Sequence, residues 1–228
     1  MEHVIAGYLR QVWEFCGWLD EGHHDFRPGY SYESQVVTVC QDIADSLDDG
    51  VRTNAIIIDF SKALDLIPHV RLFTKIEATE MDFKVVVWVQ KFLLGRSQRV
   101  RVEGQLSEKV RVTSGAPQAS VLGPLLFLAY VNDVWRNTDS NIRPFADDFI
   151  IYRKIIGSSD IDKLQMDLNR LGEWAVENEM KINPGIRKAI SFTKARANEQ
   201  ILTYLLHGAE SFLRSKLVLQ LVKKFPAF

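Results

Sequence analysis

Two short apolar runs, each carrying aspartate at one end, constrain this chain more than anything else in it. Ala55-Ile56-Ile57-Ile58-Asp59-Phe60 is mostly β-branched, and Phe145-Ala146-Asp147-Asp148 lies between Ile142-Arg143-Pro144 and Phe149-Ile150-Ile151-Tyr152. Runs this short and this apolar suit buried strands. The second pair reads as a hairpin with Asp147 and Asp148 at its tip. Strand-end carboxylates can converge in space whatever their separation along the chain. Two divalent ions held that way clamp the attacking and leaving oxygens of a phosphoryl transfer. Magnesium suits the task, because it binds through one or two carboxylates plus substrate phosphates. Adjacent aspartates alone also fit a turn or a solvated surface, both of which aspartate favours.

The rest of the pattern fills in an α+β plan with one central sheet. Helical apolar spacing runs over 4–19, 31–47, 68–79 and 81–94, and 122–134 is apolar enough for a buried helix. Alternating segments around Gly104 predict a hairpin over 97–112. A helix capped by Ser158 or Ser159 runs to about Asn178, and a strand over 188–193 closes the sheet. With 228 residues, 46% of them apolar, the chain can bury a core as one domain or two small lobes. No apolar run reaches the roughly 18 residues of a membrane span, and the start lacks the layout of a signal peptide. Cys16 and Cys40 match no metal or redox spacing. An intracellular setting, nuclear or cytoplasmic, with no membrane partner, is expected. A net charge of −1 speaks against a nucleic-acid binder with an overall basic footprint. Arg96, Arg99, Arg101, Lys109 and Arg111 nevertheless crowd one stretch, which fits a solvated hairpin or a local basic patch.

Three blocks in order make the reading specific. Asp59-Phe60-Ser61-Lys62-Ala63-Leu64-Asp65 continues to Pro68-His69. Ser114-Gly115-Ala116-Pro117-Gln118-Ala119-Ser120-Val121-Leu122-Gly123-Pro124 continues to Asn132-Asp133. Phe145-Ala146-Asp147-Asp148 follows. With Phe26-Arg27-Pro28-Gly29 upstream, and Trp174 and Met180-Lys181-Ile182-Asn183 downstream, residues 1–198 resemble the reverse transcriptase domain of non-LTR (LINE-type) retrotransposons. The resemblance implies right-hand polymerase fingers and palm, with a small antiparallel palm sheet flanked by helices. It implies an RNA-directed DNA polymerase acting on an RNA template, a DNA primer and deoxynucleotide triphosphates. Asp59, Asp147 and Asp148 would be the catalytic metal ligands for two Mg2+ ions, or Mn2+ in their place, with the Phe60 carbonyl as an extra oxygen. Gln118, Leu64, Arg27 and Ala119 would contact nucleotide or template. Read without the resemblance, Gln118 could cap the following helix and Arg27 could be solvated.

Departures from the family pattern bear on activity. Leu64 stands where a phenylalanine is usual, which predicts weaker exclusion of a ribose 2′-hydroxyl. Ala119 replaces a glycine, and glycines often mark close backbone approach. Pro144 removes a backbone donor three residues before Asp147. Ile186 replaces a lysine that could protonate pyrophosphate. His23 and Asp25 replace the usual glutamine and glycine. The chain begins inside what resembles the first fingers helix, no thumb is recognisable, and residues 199–228 resemble nothing in the family. They read as an unrelated tail, disordered or translated from neighbouring sequence. The expectation is a truncated, degenerate copy with no obligate protein partner. Two alternatives stand beside it: a non-catalytic remnant that binds nucleic acid or protein, and a metal-dependent nuclease using the same aspartates.

Overall fold

A computed structural model describes residues 1–194 except 21, 25, 26, 28, 80, 146 and 147, together with side chains other than those of 145 and 184–188. Asp147, Asp25, Phe26, the Ile186 side chain and the 199–228 tail therefore lie outside the described residues. In chain order come α1 (Glu2–Phe15), α2 (Tyr32–Asp48), β1 (Arg52–Phe60), α3 (Ala63–Leu66), α4 (His69–Glu77) and α5 (Phe83–Leu93). Four short strands follow: β2 (Ser97–Gln98), β3 (Arg101–Val102), β4 (Gln105–Leu106) and β5 (Val110–Arg111). The chain continues with α6 (Leu122–Val131), β6 (Asn141–Phe145), β7 (Asp148–Ile155), α7 (Ser158–Glu177) and β8 (Ile182–Phe192).

The main sheet has the order β6-β7-β1-β8, and every pairing in it is antiparallel. Period-two alternation sorts its side chains between two cores. Ile58, Phe60, Phe149 and Ile151 point into the larger one, against α6, α7 and the α4–α5 pair. Ala55, Ile57, Ile150, Tyr152, Ile190 and Phe192 face the other way, onto Val39, Ile43 and Leu47 of α2. Burial on both faces explains why the strand sequences are near-continuously apolar. The α6 helix is apolar all round because it is enclosed: all its residues but Pro124 are buried.

Three expectations are corrected. The last strand begins at Ile182, not Lys188. It runs through Pro184-Gly185, which reads as a turn, because an end-of-sheet strand has one neighbour to satisfy and tolerates proline. Neither Ser158 nor Ser159 caps α7. Gly157 is the first flanking residue, and the Asp160 carboxylate reaches back to accept from the Ile156 and Gly157 amides at 3.0 and 3.1 Å. Pro144 lies on β6, opposite Phe149 and again at the edge of the sheet. Its missing donor is accommodated there, and the ladder from Asn141↔Tyr152 to Phe145↔Asp148 continues through it.

Between α1 and α2 the chain is fixed by Arg27, whose guanidinium donates to Glu14 at 2.8 and 2.6 Å and to the carbonyls of Asp20 and His23. His23 is fully buried, edge-on to Trp135 with ring centroids 4.4 Å apart, and neither ring nitrogen has a hydrogen-bond partner among the described residues. Burial, with Arg27 nearby, depresses its pKa to about 3 from an ordinary 6.5. Between those values the unfolded chain binds a proton that the folded chain refuses, so stability falls as pH falls through the window. Thermal unfolding followed from about pH 7 to about pH 4 is expected to show a steeper loss for the wild type than for His23→Leu. Parallel curves would remove His23 from the acid sensitivity.

Candidate active site

The site is built at one end of the main sheet. Register pairs Asp59 of β1 with Asp148 of β7. Asp59 follows Ile57 by two residues and Asp148 precedes Ile150 by two, so both belong to the α2 side of the sheet, just past the apolar layer. Both are half-buried. From β8, the Asn183 amide donates to Asp59 Oδ2 at 2.7 Å. Asn183 is thus a positioning residue that the sequence showed only as part of a matching block, because its partner is 124 positions away. Past Phe60, the Ser61 amide donates to the Lys181 carbonyl at 2.8 Å, and Lys62 turns the chain with φ 53°.

That turn delivers α3, on which the second block is laid. The Gly115 amide donates to the Ile67 carbonyl and the Ala116 amide to the Leu64 carbonyl, each at 2.8 Å. Ser114 Oγ donates to the Asp65 carbonyl at 3.0 Å, and His69 Nε2 donates to the Gly115 carbonyl at 2.9 Å from a buried position. Gln118 Nε2 reaches Asp65 Oδ1 at 2.9 Å and is otherwise exposed. It does not cap α6, whose leading amides are met by other side chains: the Gly123 amide donates to Ser120 Oγ at 2.8 Å and the Leu122 amide to Glu2 Oε1 at 3.1 Å. Gly115 has φ +90°, and a Cβ there would lie 2.9 Å from the Asp65 carbonyl oxygen. A Cβ on Gly123 would lie 2.3 Å from the Pro117 carbonyl oxygen, so α6 can start close under the loop only with glycine at that place. Leu64 is half-buried against the main core. Ala119 is exposed, with φ +57°.

Beneath this surface Asn132 and Asp133 act as braces. Asn132 donates to the Trp18 carbonyl at 2.7 Å and accepts from the Asp20 amide at 3.0 Å. Asp133 Oδ1 accepts from Lys75 Nζ at 2.6 Å and from Trp174 Nε1 at 2.9 Å. The Trp174 ring packs edge-on to Phe60, next to Asp59. Burial lowers the Lys75 pKa, while its bond to Asp133 works in the opposite direction.

The structure therefore brings Asp59, Phe60 and Asp148 together, and sets Leu64, Gln118 and Ala119 on one stitched rim. Arg27 lies in the α1–α2 connection, with its guanidinium occupied by Glu14 and two carbonyls. Among the described residues no group of three or more histidines, cysteines or carboxylates could hold a metal. Asp147, next to Asp148 in sequence, is not among them. No described helix is long and apolar enough to cross a membrane.

Comparison with known proteins follows the same outline. The telomerase of Candida tropicalis in complex with a fragment of telomeric RNA superposes with a TM-score of 0.61 at 12% identity, over 85% of this chain and 34% of that one. An apo telomerase from the same organism gives 0.59 at 13% identity, over 86% and 41%. At such identity the likeness speaks for the fold: a polymerase fold, of which this chain presents a partial fingers and palm. In sequence, the chain is 29% identical over 201 residues to the probable RNA-directed DNA polymerase from transposon X-element of Drosophila melanogaster. It is 26% identical over 206 residues to that from mobile element jockey of Drosophila funebris. It covers 22% of the length of each. The family model for reverse transcriptase (RNA-dependent DNA polymerase) matches residues 2–195, and with these relatives the chain belongs to that family, as a reverse transcriptase domain of the non-LTR retrotransposon kind.

Proposed function

We propose that this chain is the fingers-and-palm portion of an RNA-directed DNA polymerase. In this reading it adds deoxynucleotides to a primer 3′-hydroxyl, which displaces pyrophosphate from the incoming triphosphate on an RNA template. The observation that carries the reading is the register of Asp59 against Asp148 at the open end of the sheet. Like charges directly opposite on a sheet destabilise it, so the pair makes physical sense as a cation cradle. Asp59, Asp147 and Asp148, with the Phe60 carbonyl, would hold one or two Mg2+ ions, Mn2+ serving in their place. Bound there, the ions would activate the primer hydroxyl and offset triphosphate charge.

The chain's own groups divide the remaining work. Asn183 fixes the Asp59 carboxylate by donating to one of its oxygens, leaving the other for a cation. Gln118, tied to Asp65 on an exposed rim, would meet the nucleotide sugar and the template strand. Leu64, on the adjoining α3, would limit a ribose 2′-hydroxyl less firmly than a ring. Arg27 would act by holding the α1–α2 connection, and reach a triphosphate or template only on leaving Glu14. Residues 1–198 would form the polymerase portion and 199–228 an unrelated tail, a division supported by the family match ending at residue 195.

The departures differ in what they cost. Pro144 sits at a sheet edge, where the ladder accepts it. Ala119 occupies the left-handed region at φ +57°, where an L-residue carries about 1–2 kcal/mol of strain that glycine avoids. The usual glycine of this block therefore answers a backbone requirement as well as any close approach of substrate or template. Ile186 supplies no proton to the leaving pyrophosphate, and loss of a general acid slows a reaction about 10²–10⁴-fold. On this reading any polymerisation by the domain would be slow.

Ala119→Gly is expected to stabilise the fold by about 1 kcal/mol, read as a higher denaturant midpoint at unchanged slope. An unchanged or lower midpoint would mean that the loop is not strained there. Primer extension on an RNA template with magnesium and deoxynucleotides is expected for the wild type. Asp59→Asn should lower it about 100-fold or more, the scale of one lost electrostatic contact to a transition state. Equal extension by the variant would refute the assignment of Asp59. Folded wild-type protein that extends nothing would replace the polymerase by a remnant that binds nucleic acid or protein.

A further inference from the structure

Among the described residues the longest unbroken exposed stretch contains the segment 96–111. Every residue from 94 to 111 is exposed. The segment is a two-part ribbon: Ser97↔Arg111 and Gln98↔Val110 pair at its base, and Arg101↔Leu106 and Val102↔Gln105 at its tip. Gly104, at φ +86°, makes the turn. The Ser107 amide donates to the Val100 carbonyl at 2.8 Å, and the Val100 amide to Ser107 Oγ at 2.9 Å. An isolated two-stranded ribbon is marginal in water, so a surface to lie against would add stability that its own contacts do not supply.

Its charge says what kind of surface. Arg96, Arg99, Arg101, Lys109 and Arg111 face only Glu103 and Glu108 in the same stretch, a positive excess in a chain whose net charge is −1. Among the described residues none of the five forms a salt bridge, whereas six other cations, Arg27, Arg71, Lys75, Arg153, Lys154 and Arg170, do. Arg96 rests over the Phe92 ring at 5.0 Å. At its base the ribbon is continuous with the candidate site. Arg111 lines an open cleft of about 750 Å³ together with His69, Ser114 and Lys181. Ser114 is bonded to Asp65, and the Lys181 carbonyl holds Ser61, two residues past Asp59.

We propose that residues 96–111 form an arm that grips the phosphate backbone of a template–primer duplex beside the palm. The inference rests on the polymerase reading for the identity of the duplex, but not for the binding itself. Unpaired arginines and lysines on an exposed ribbon suit phosphates, which supply sequence-independent affinity. The alternation Arg99-Val100-Arg101-Val102 puts a charge at every second position, whereas the centres of protein interfaces are depleted of charge. The exposed Val100, Val102 and Val110 are the part a protein would use instead.

The test is anisotropy of a labelled RNA–DNA hybrid titrated with the full chain, repeated between about 50 and about 200 mM salt. The triple variant Arg99→Gln, Arg101→Gln, Lys109→Gln changes only exposed side chains. It is expected to bind about tenfold or more weakly at low salt and to lower the salt slope by about 3. Val100→Thr with Val102→Thr, which keeps the charge, should bind as the wild type does. A triple variant with unchanged affinity and slope overturns the arm, as does wild-type protein that binds no hybrid. Loss of binding confined to the valine variant also overturns it, and points to a protein partner. Wild-type protein that binds through these residues yet extends no primer overturns the polymerase reading and leaves the arm standing.

Discussion

Antiparallel pairing of β1 with β7 is the constraint on which the rest of the molecule depends. In an alternating strand a slip of one residue moves every side chain to the opposite face. Here such a slip would take Ile57 and Ile150 off α2, and Phe60 and Phe149 out of the larger core. Each of those side chains gains about 1.5–3 kcal/mol by burial. The repulsion of two carboxylates facing each other across a sheet is well under that, about 1 kcal/mol at most. Packing therefore overrides repulsion and holds Asp59 against Asp148. The acidic pair is an unfavourable local arrangement imposed by a favourable global one, and on the proposed reading a bound cation would relieve it.

The second block depends on the first through backbone geometry rather than side-chain chemistry. Residues 114–118 are hydrogen-bonded to 64–67 largely through main-chain groups, with His69 closing the join from below. Close apposition of the two backbones leaves no room for a Cβ at Gly115, and the carbonyl of Pro117 leaves none at Gly123. The rim that carries Leu64, Gln118 and Ala119 thus inherits its position from where β1 ends. A change to those three side chains alters what the rim contacts without moving it, because none of the stitching bonds except the one from Gln118 uses their side chains.

What could be read in the sequence was what local pattern encodes. The α2 periodicity from Val39 to Leu47, the buried run at 55–60, the enclosed helix at 122–131 and the hairpin around Gly104 all stand near where they were expected. What could not be read depended on neighbours distant in sequence. Pro184-Gly185 signals a turn locally, and only the position of β8 at the end of the sheet allows a strand there. Pro144 reads as a lesion until β6 is known to be an edge. Ser158 and Ser159 are both good caps, yet Asp160, one position further on, satisfies two amides at once with a charged oxygen. Asn183, Asn132 and Asp133 gave no local signal beyond membership of matching blocks, since their partners lie 41 to 124 residues away.

These features explain how a chain of this kind can depart from its family pattern at several places and still fold. A domain is stable by some 5–15 kcal/mol, and the strain at Ala119 takes about 1–2 kcal/mol of that. Pro144 costs little at an edge, and Leu64 keeps its apolar contact with the core. None of these positions lies in the β1–β7 ladder that sets the acidic pair. Chemistry has no such reserve. A rate falls in proportion to each missing proton donor or misplaced contact, and no packing elsewhere compensates for it. A folded palm in this chain is therefore evidence of ancestry, and what the departures at Leu64, Ala119 and Ile186 would do to a rate is a separate quantity that the packing does not set.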